Sequence, residues 1–191
     1  MFNPGVNNPP ADDTPDTPLI MCFKEHSQIL CMNTHNNQEE YITVQNLQVG
    51  TLVKTGCDGF KAIVNMTKSS IFNKNVNDQS KINKQQLYCC SNEIYDELFE
   101  DLIITGSHSI LVDSITDEQK TEIINFFGKI FVTDKKYRLP ACLDERASMY
   151  EEEGDFLIYH FALENECIYS NYGVFANGLL VESASIYHLN T

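Results

Sequence analysis

The chain has 191 residues, 42% hydrophobic and 21% charged, with 27 acidic against 13 basic side chains and a net charge of -14. That length supports one domain with a real core, with or without tails. The acid excess argues against nucleic acid as a partner, since such binding needs a basic surface, and no run of about 18 apolar residues is present to span a membrane.

The N-terminus shows no positive stretch leading into an apolar one, so no secretory signal is visible. Cysteine occurs seven times, at 22, 31, 57, 89, 90, 142 and 167. An odd count without a signal points to free thiols in a reducing compartment such as a cytoplasm. No CxxC pair exists, so neither a structural zinc nor any cofactor is expected.

In chain order, residues 1–21 form a leader. It contains five of the six prolines (Pro4, Pro9, Pro10, Pro15 and Pro18). Such a segment is expected to be disordered or extended. It closes on the apolar run Leu19-Ile20-Met21-Cys22-Phe23, where a domain over residues 22–185 begins, followed by a tail over 186–191. Strands are expected from Gln28 to Met32, Tyr41 to Val44 and Leu47 to Val53, the last bending at Gly50. Gly56-Cys57-Asp58-Gly59 reads as a hairpin-type turn before a strand from Phe60 to Met66. Residues 68–86, rich in Lys and Asn, read as a long loop. A strand over Leu87 to Cys90 and a turn or short helix over Tyr95 to Asp101 follow.

The segment Leu102-Ile103-Ile104-Thr105-Gly106-Ser107-His108-Ser109-Ile110-Leu111-Val112 sets a polar island between two strand-forming apolar runs. Gly106 there permits a bend or a close backbone approach. A hydroxyl and an imidazole are thus held on stiff supports, either for chemistry or merely for a hydrogen-bonded turn. Beyond it, Thr116-Asp117-Glu118-Gln119 has capping-box form and opens a helix with an apolar face at Ile123, Ile124, Phe126 and Phe127, ending at Gly128. Residues 132–154 read as loop anchored by Leu139-Pro140-Ala141-Cys142-Leu143, with Glu151-Glu152-Glu153 a solvated face. Phe156 to Leu163 and Tyr172 to Val181 read as two strands. The sum is a mostly β domain with one short helix and no internal repeat.

Four pieces recur together: Cys22 after its apolar entry, Leu47-Gln48-Val49-Gly50-Thr51-Leu52-Val53, Thr105-x-x-His108, and Gly173-Val174-Phe175-Ala176-Asn177-Gly178-Leu179-Leu180-Val181. In this order they resemble the Hint (Hedgehog/intein) family of self-processing domains, from Cys22 to about Ser183. The segments Leu98 to Asp113 and Tyr137 to Val181 look similar to Hint-domain proteins encoded by large DNA viruses, which would place the chain in the cytoplasm of an infected host. The resemblance implies an all-β, pseudo-symmetric horseshoe and an N–S acyl shift. Cys22 would attack the Met21 carbonyl and form a thioester, His108 would protonate the departing Cys22 amine, and Thr105 would hold the scissile amide. The donors for the oxyanion are not visible in the sequence.

Departures limit what carries over. Where inteins follow the Ala-Asn-Gly strand with a His-Asn pair and a Cys, Ser or Thr, this chain has Val181-Glu182-Ser183-Ala184, so Asn cyclisation is not expected. Asn190-Thr191 has the right types but comes several residues too late. An acidic residue of the preceding intein strand is matched by His160, which reads either as a proton shuttle or as a packed imidazole between aromatics. His26, His35 and His188 read as surface residues. Cys31, Cys57, Cys142 and Cys167 read as buried small hydrophobes, and Cys89-Cys90 as a secondary reactive thiol pair. Two functions follow. One is a self-cleaving domain whose substrate is its own N-terminal segment, released to water, a thiol or another nucleophile; nothing specifies a sterol acceptor, for which the tail offers little room. The other is an inactive Hint fold kept as a structural or binding module. An unrelated β-rich protein with chance matches is the third reading.

Overall fold

Short runs of Ile, Val, Leu and aromatic residues between turn formers become short strands throughout this chain. The computed structural model describes residues 21–74 and 83–190. Residues 1–20 of the expected 1–21 leader, the middle of the Lys/Asn-rich segment (75–82) and Thr191 lie outside the described residues.

The elements in order are β1 (Phe23–Lys24), β2 (Gln28–Asn33), β3 (Gln38–Thr43), β4 (Leu52–Lys54), β5 (Phe60–Asn73), β6 (Leu87–Cys90), β7 (Leu102–Thr105), β8 (Ser109–Val112), α1 (Asp117–Phe127), β9 (Val132–Thr133), β10 (Lys136–Pro140), β11 (Ser148–Met149), β12 (Gly154–Leu163), β13 (Gly173–Ala176), β14 (Leu179–Glu182) and α2 (Ile186–Leu189). Hydrogen bonding links the strands in the order β11-β6-β7-β1-β12-β5-β4-β2-β13-β14-β8-β10-β9, with β3 hung on β2. Every pairing between these strands is antiparallel. The protein is therefore mostly β, as its sequence predicts.

Two features of that order build the site. Phe23 pairs with Ile104 on one side and Tyr159 on the other, which wedges the residue after Cys22 between β7 and β12. Val181 pairs with Ile110, which carries the end of β14 alongside the start of β8. The main core runs through Phe23, Ile104, Ile110, Phe161, Val174 and Val181, all essentially buried. A separate small cluster contains Cys22, Leu87, Phe156 and Ile158.

Several expectations need correction. The strand expected to end at Met66 continues to Asn73, because β12 offers a continuous partner from Leu163 back to Gly154. The Lys/Asn-rich segment is thus strand over residues 68–73. Leu47–Val53 is strand only from Leu52, since Gly50 sits at φ +92° and turns the chain. Residues 132–154 are not all loop: β9, β10 and β11 each find an edge to pair with. Tyr172–Val181 is a hairpin and not one strand, folded at Asn177-Gly178, both with positive φ. Asn-Gly is the favoured pair for such a turn, so that signal was present in the sequence. The tail adds a second helix, α2. Cys57 and Cys167 are exposed, whereas Cys31 and Cys142 are buried as expected; none of the seven cysteines is in a disulfide.

Candidate functional site

β7 ends at Thr105 and β8 begins at Ser109, so Gly106-Ser107-His108 is a tight connection between two strands that pair with different neighbours. Its three amides and two of its carbonyls are hydrogen-bonded. Gly106 N donates to the Gln86 carbonyl at 2.8 Å, Ser107 N to Lys84 at 3.0 Å and His108 N to Thr105 at 2.9 Å. Ala141 and Cys142 donate to the His108 and Gly106 carbonyls, each at 2.9 Å. A Cβ on Gly106 would collide with the Asn83 carbonyl oxygen and press on the Tyr88 ring. Glycine is needed here for that close backbone approach, not for a left-handed φ.

Thr105 and Cys22 clasp each other. The Cys22 amide donates to Thr105 Oγ1 at 2.9 Å, and the Thr105 amide donates to the Cys22 carbonyl at 3.1 Å. The nitrogen of the Met21–Cys22 peptide bond is thus held by the hydroxyl that the sequence singled out. Met21 itself is half-buried. The Cys22 thiol is 6% exposed and packs with Leu87, Phe156 and Ile158. Burial pushes it up to about 12, so it is a thiol at neutral pH and needs a base to act.

His108 is fully buried, its ring 4.5 Å from that of Phe23 in an edge-on arrangement. Its Nε2 lies 2.9 Å from the Glu182 carbonyl oxygen. A carbonyl only accepts, so Nε2 carries the proton and the lone pair is on Nδ1 in the neutral ring. Nδ1 has no hydrogen-bond partner of good geometry among the described residues. Burial lowers the basicity of His108, opposed by the Glu182 carboxylate, the Glu182 carbonyl and the Cys22 carbonyl. The result is a neutral imidazole held between the Glu182 carbonyl and the Cys22 carbonyl.

His160 stands on β12, its ring centroid 6.1 Å from that of His108 and 6.1 Å from that of His188 on α2. It is 3% exposed and its Nε2 has no partner among the described residues. Burial, then the two neighbouring histidines, holds it well below its ordinary range. His188 is half-buried and not on the surface, while His26 and His35 are exposed. Cys90 is buried and Cys89 half-buried; burial raises both, to about 12 and about 11. For Cys90, burial outweighs the Tyr95 hydrogen bond and the Arg146 charge that act to lower it. No group of three or more His, Cys, Asp or Glu suited to a metal occurs among the described residues.

The sequence reading missed a polar network behind His108. Ser109 N donates to Glu182 Oε1 at 2.9 Å. Arg138 lies 3.1 Å from Glu182 Oε2 and bonds Asn171 Oδ1 and Thr133 Oγ1 at 2.5 and 2.7 Å. Asn171 Nδ2 donates to Glu182 Oε2 at 3.3 Å and to the Ser183 carbonyl at 2.8 Å. Glu182 is completely buried. Its only sequence signal is a carboxylate closing an apolar strand, Leu179-Leu180-Val181-Glu182; its partners come from β8, from β10 and from the segment before β13.

The structure thus defines a mostly β domain in which a threonine holds the amide of a buried cysteine and a buried histidine lies against that cysteine's carbonyl. No protein-family model matches the chain, and no curated protein matches it. Solved structures similar to it include the MchDnaB-1 intein, 8% identical over 84% of this chain and 98% of that one with a TM-score of 0.43. Another is the selenomethionine variant of the VidaL intein, 16% identical over 87% of this chain and 94% of that one with a TM-score of 0.41.

Proposed function

We propose that the chain is a Hint-type self-processing domain that converts the Met21–Cys22 peptide bond to a thioester and then releases the N-terminal leader to water, a thiol or another nucleophile. The observation that carries this reading is the clasp of Thr105 Oγ1 on the Cys22 amide at 2.9 Å, with the His108 ring beside it. In the shift, Cys22 Sγ attacks the Met21 carbonyl carbon and the C–N bond breaks. One proton moves overall from sulfur to nitrogen. His108 suits both halves of that transfer. Its Nδ1 accepts the thiol proton as sulfur attacks, and the imidazolium returns it to the departing amine. A positioned group of this kind is worth about 10²–10⁴ in rate. Thr105 keeps the scissile nitrogen in register while it becomes tetrahedral. His160 would stabilise or relay the proton from behind His108. Glu182-Ser183 stands where Asn cyclisation would need its Asn, so the reaction stops at acyl transfer. The viral likeness rests on the sequence segments alone.

One observation favours a second reading, a Hint fold retained as a non-processing module. The Cys22 thiol lies in an apolar cluster and no cation depresses its pKa. Intact mass separates the two. The freshly purified full chain is incubated with and without dithiothreitol, beside Cys22→Ala. Thiol-dependent loss of residues 1–21, absent in Cys22→Ala, supports processing. An unchanged full-length mass in every tube sinks spontaneous cleavage and leaves the module.

A further inference from the structure

His108 must change charge inside a site that buries it completely. Unaided, such a site holds the imidazole neutral and makes it a poor acid. The groups around it come from several elements: the Cys22 backbone before β1, His160 on β12 and Glu182 on β14. Behind these stand His188 on α2, facing His160, and Arg138 on β10, facing Glu182. Of the charged side chains, Glu182 alone bears on the ring with a sign that favours its protonation.

The geometry around Glu182 is over-determined. Its carbonyl receives His108 Nε2, while its carboxylate takes the amide of the very next residue, Ser109. The second carboxylate oxygen is shared by Arg138 and Asn171. One residue therefore fixes both the ring and the backbone that carries it. A buried carboxylate is expensive unless its oxygens are satisfied, and here both are.

We propose that Glu182 is the positioning residue for His108, its carbonyl fixing the Nε2–H tautomer and its carboxylate supplying the negative charge that lets the buried imidazole take up a proton during the acyl shift. This deepens the processing reading and takes its reaction from it. Arg138 tempers the effect: it anchors Glu182 and offsets part of its charge. The two therefore act on His108 with opposite sign.

The test is imidazole nitrogen NMR of the full-length chain across pH, on Cys22→Ala so that no cleavage intervenes, compared with the same chain carrying Glu182→Gln or Arg138→Gln. With Cys22→Ala as the only change, the His108 ring is expected as the Nε2–H tautomer; an Nδ1–H ring overturns the carbonyl's role. Glu182→Gln keeps the shape and the Ser109 contact but loses the charge, so His108 titrates at lower pH. Arg138→Gln moves the titration to higher pH. Unmoved titrations in both variants, or shifts of reversed sign, overturn the proposal. In the cleavage assay, with Cys22 intact, Glu182→Gln lowers the rate of thiol-dependent release about tenfold at neutral pH, and the loss lessens towards acid. A chain that never cleaves but whose His108 responds as described would sink the processing reading and leave the pairing of Glu182 with His108 standing.

Discussion

Thr105 Oγ1 satisfies the buried Cys22 amide, the nitrogen that the proposed acyl shift would release. Thr105→Val keeps the shape but strands that N–H, which costs about 1–3 kcal/mol. A lower urea midpoint at unchanged slope is expected, together with loss of release. His108 and His160 make a second residue-scale prediction. Both are held below the ordinary value of 6.5 by burial. The unfolded chain therefore binds protons that the folded chain refuses. Their stabilising effect is complete above about pH 6.5 and is lost as pH falls from there towards the depressed folded values. Urea midpoints measured from pH 7.5 down to 5 should fall, and His160→Phe should flatten the trend. Thiol reactivity is the third. Cys57 and Cys167 are exposed, and hydrogen bonds from Ser170 and from the Tyr169 backbone lower Cys167, whereas burial raises Cys57 to about 11. A native thiol titration should show Cys167 reacting first, with Cys22 unreactive until the chain unfolds.

At the scale of elements, α1 is the one whose ends are written in its sequence. Thr116 Oγ1 accepts from Gln119 N at 3.1 Å, the Gln119 side chain accepts from Thr116 N at 2.9 Å, and Gly128 closes the helix in the left-handed region at φ 76°. Yet only Ile123 of this helix is fully buried, and Ile124 is largely exposed. Thr116→Ala should therefore cost about 1 kcal/mol without touching the site. The β13–β14 hairpin is the more consequential element. Asn177 takes the Gln28 amide on Oδ1 at 2.6 Å and gives Nδ2 to the Asp101 carbonyl at 2.8 Å, tying the turn to β2 and to the entry of β7. Gly178, at φ +102°, leaves no room for a Cβ against the Glu97 carbonyl. Gly178→Ala should destabilise by about 2 kcal/mol or more and, by loosening β14 against β8, slow release as well. Full stability in that variant would contradict the close approach.

Across the whole molecule, 27 acidic side chains against 13 basic ones repel one another in the folded state. Raising NaCl to about 0.5 M should screen that repulsion and raise the urea midpoint. A midpoint that falls would mean that the ion pairs such as Lys136–Asp113 and Lys54–Glu39 outweigh it, which their exposure argues against.

Local patterns were enough to read the β class, the helix with both caps, the kinked strand pair around Thr105 and His108, and the cysteine at the domain's first strand. Each is set by neighbours a few residues apart: apolar runs, a capping box, a glycine between strands. The extension of β5 to Asn73, the strands within 132–154 and the folding of 172–181 were decided by partners far away in the chain, because a polar strand is held by the edge it pairs with and not by its own composition. The same holds for the site. The residue types Cys, Thr and His were legible, but the clasp on the Cys22 amide, the apolar bed of its thiol and the hold of Glu182 on His108 were not. Those depend on which strands lie side by side, and only the tertiary structure brings β1, β7, β8, β12 and β14 to one point.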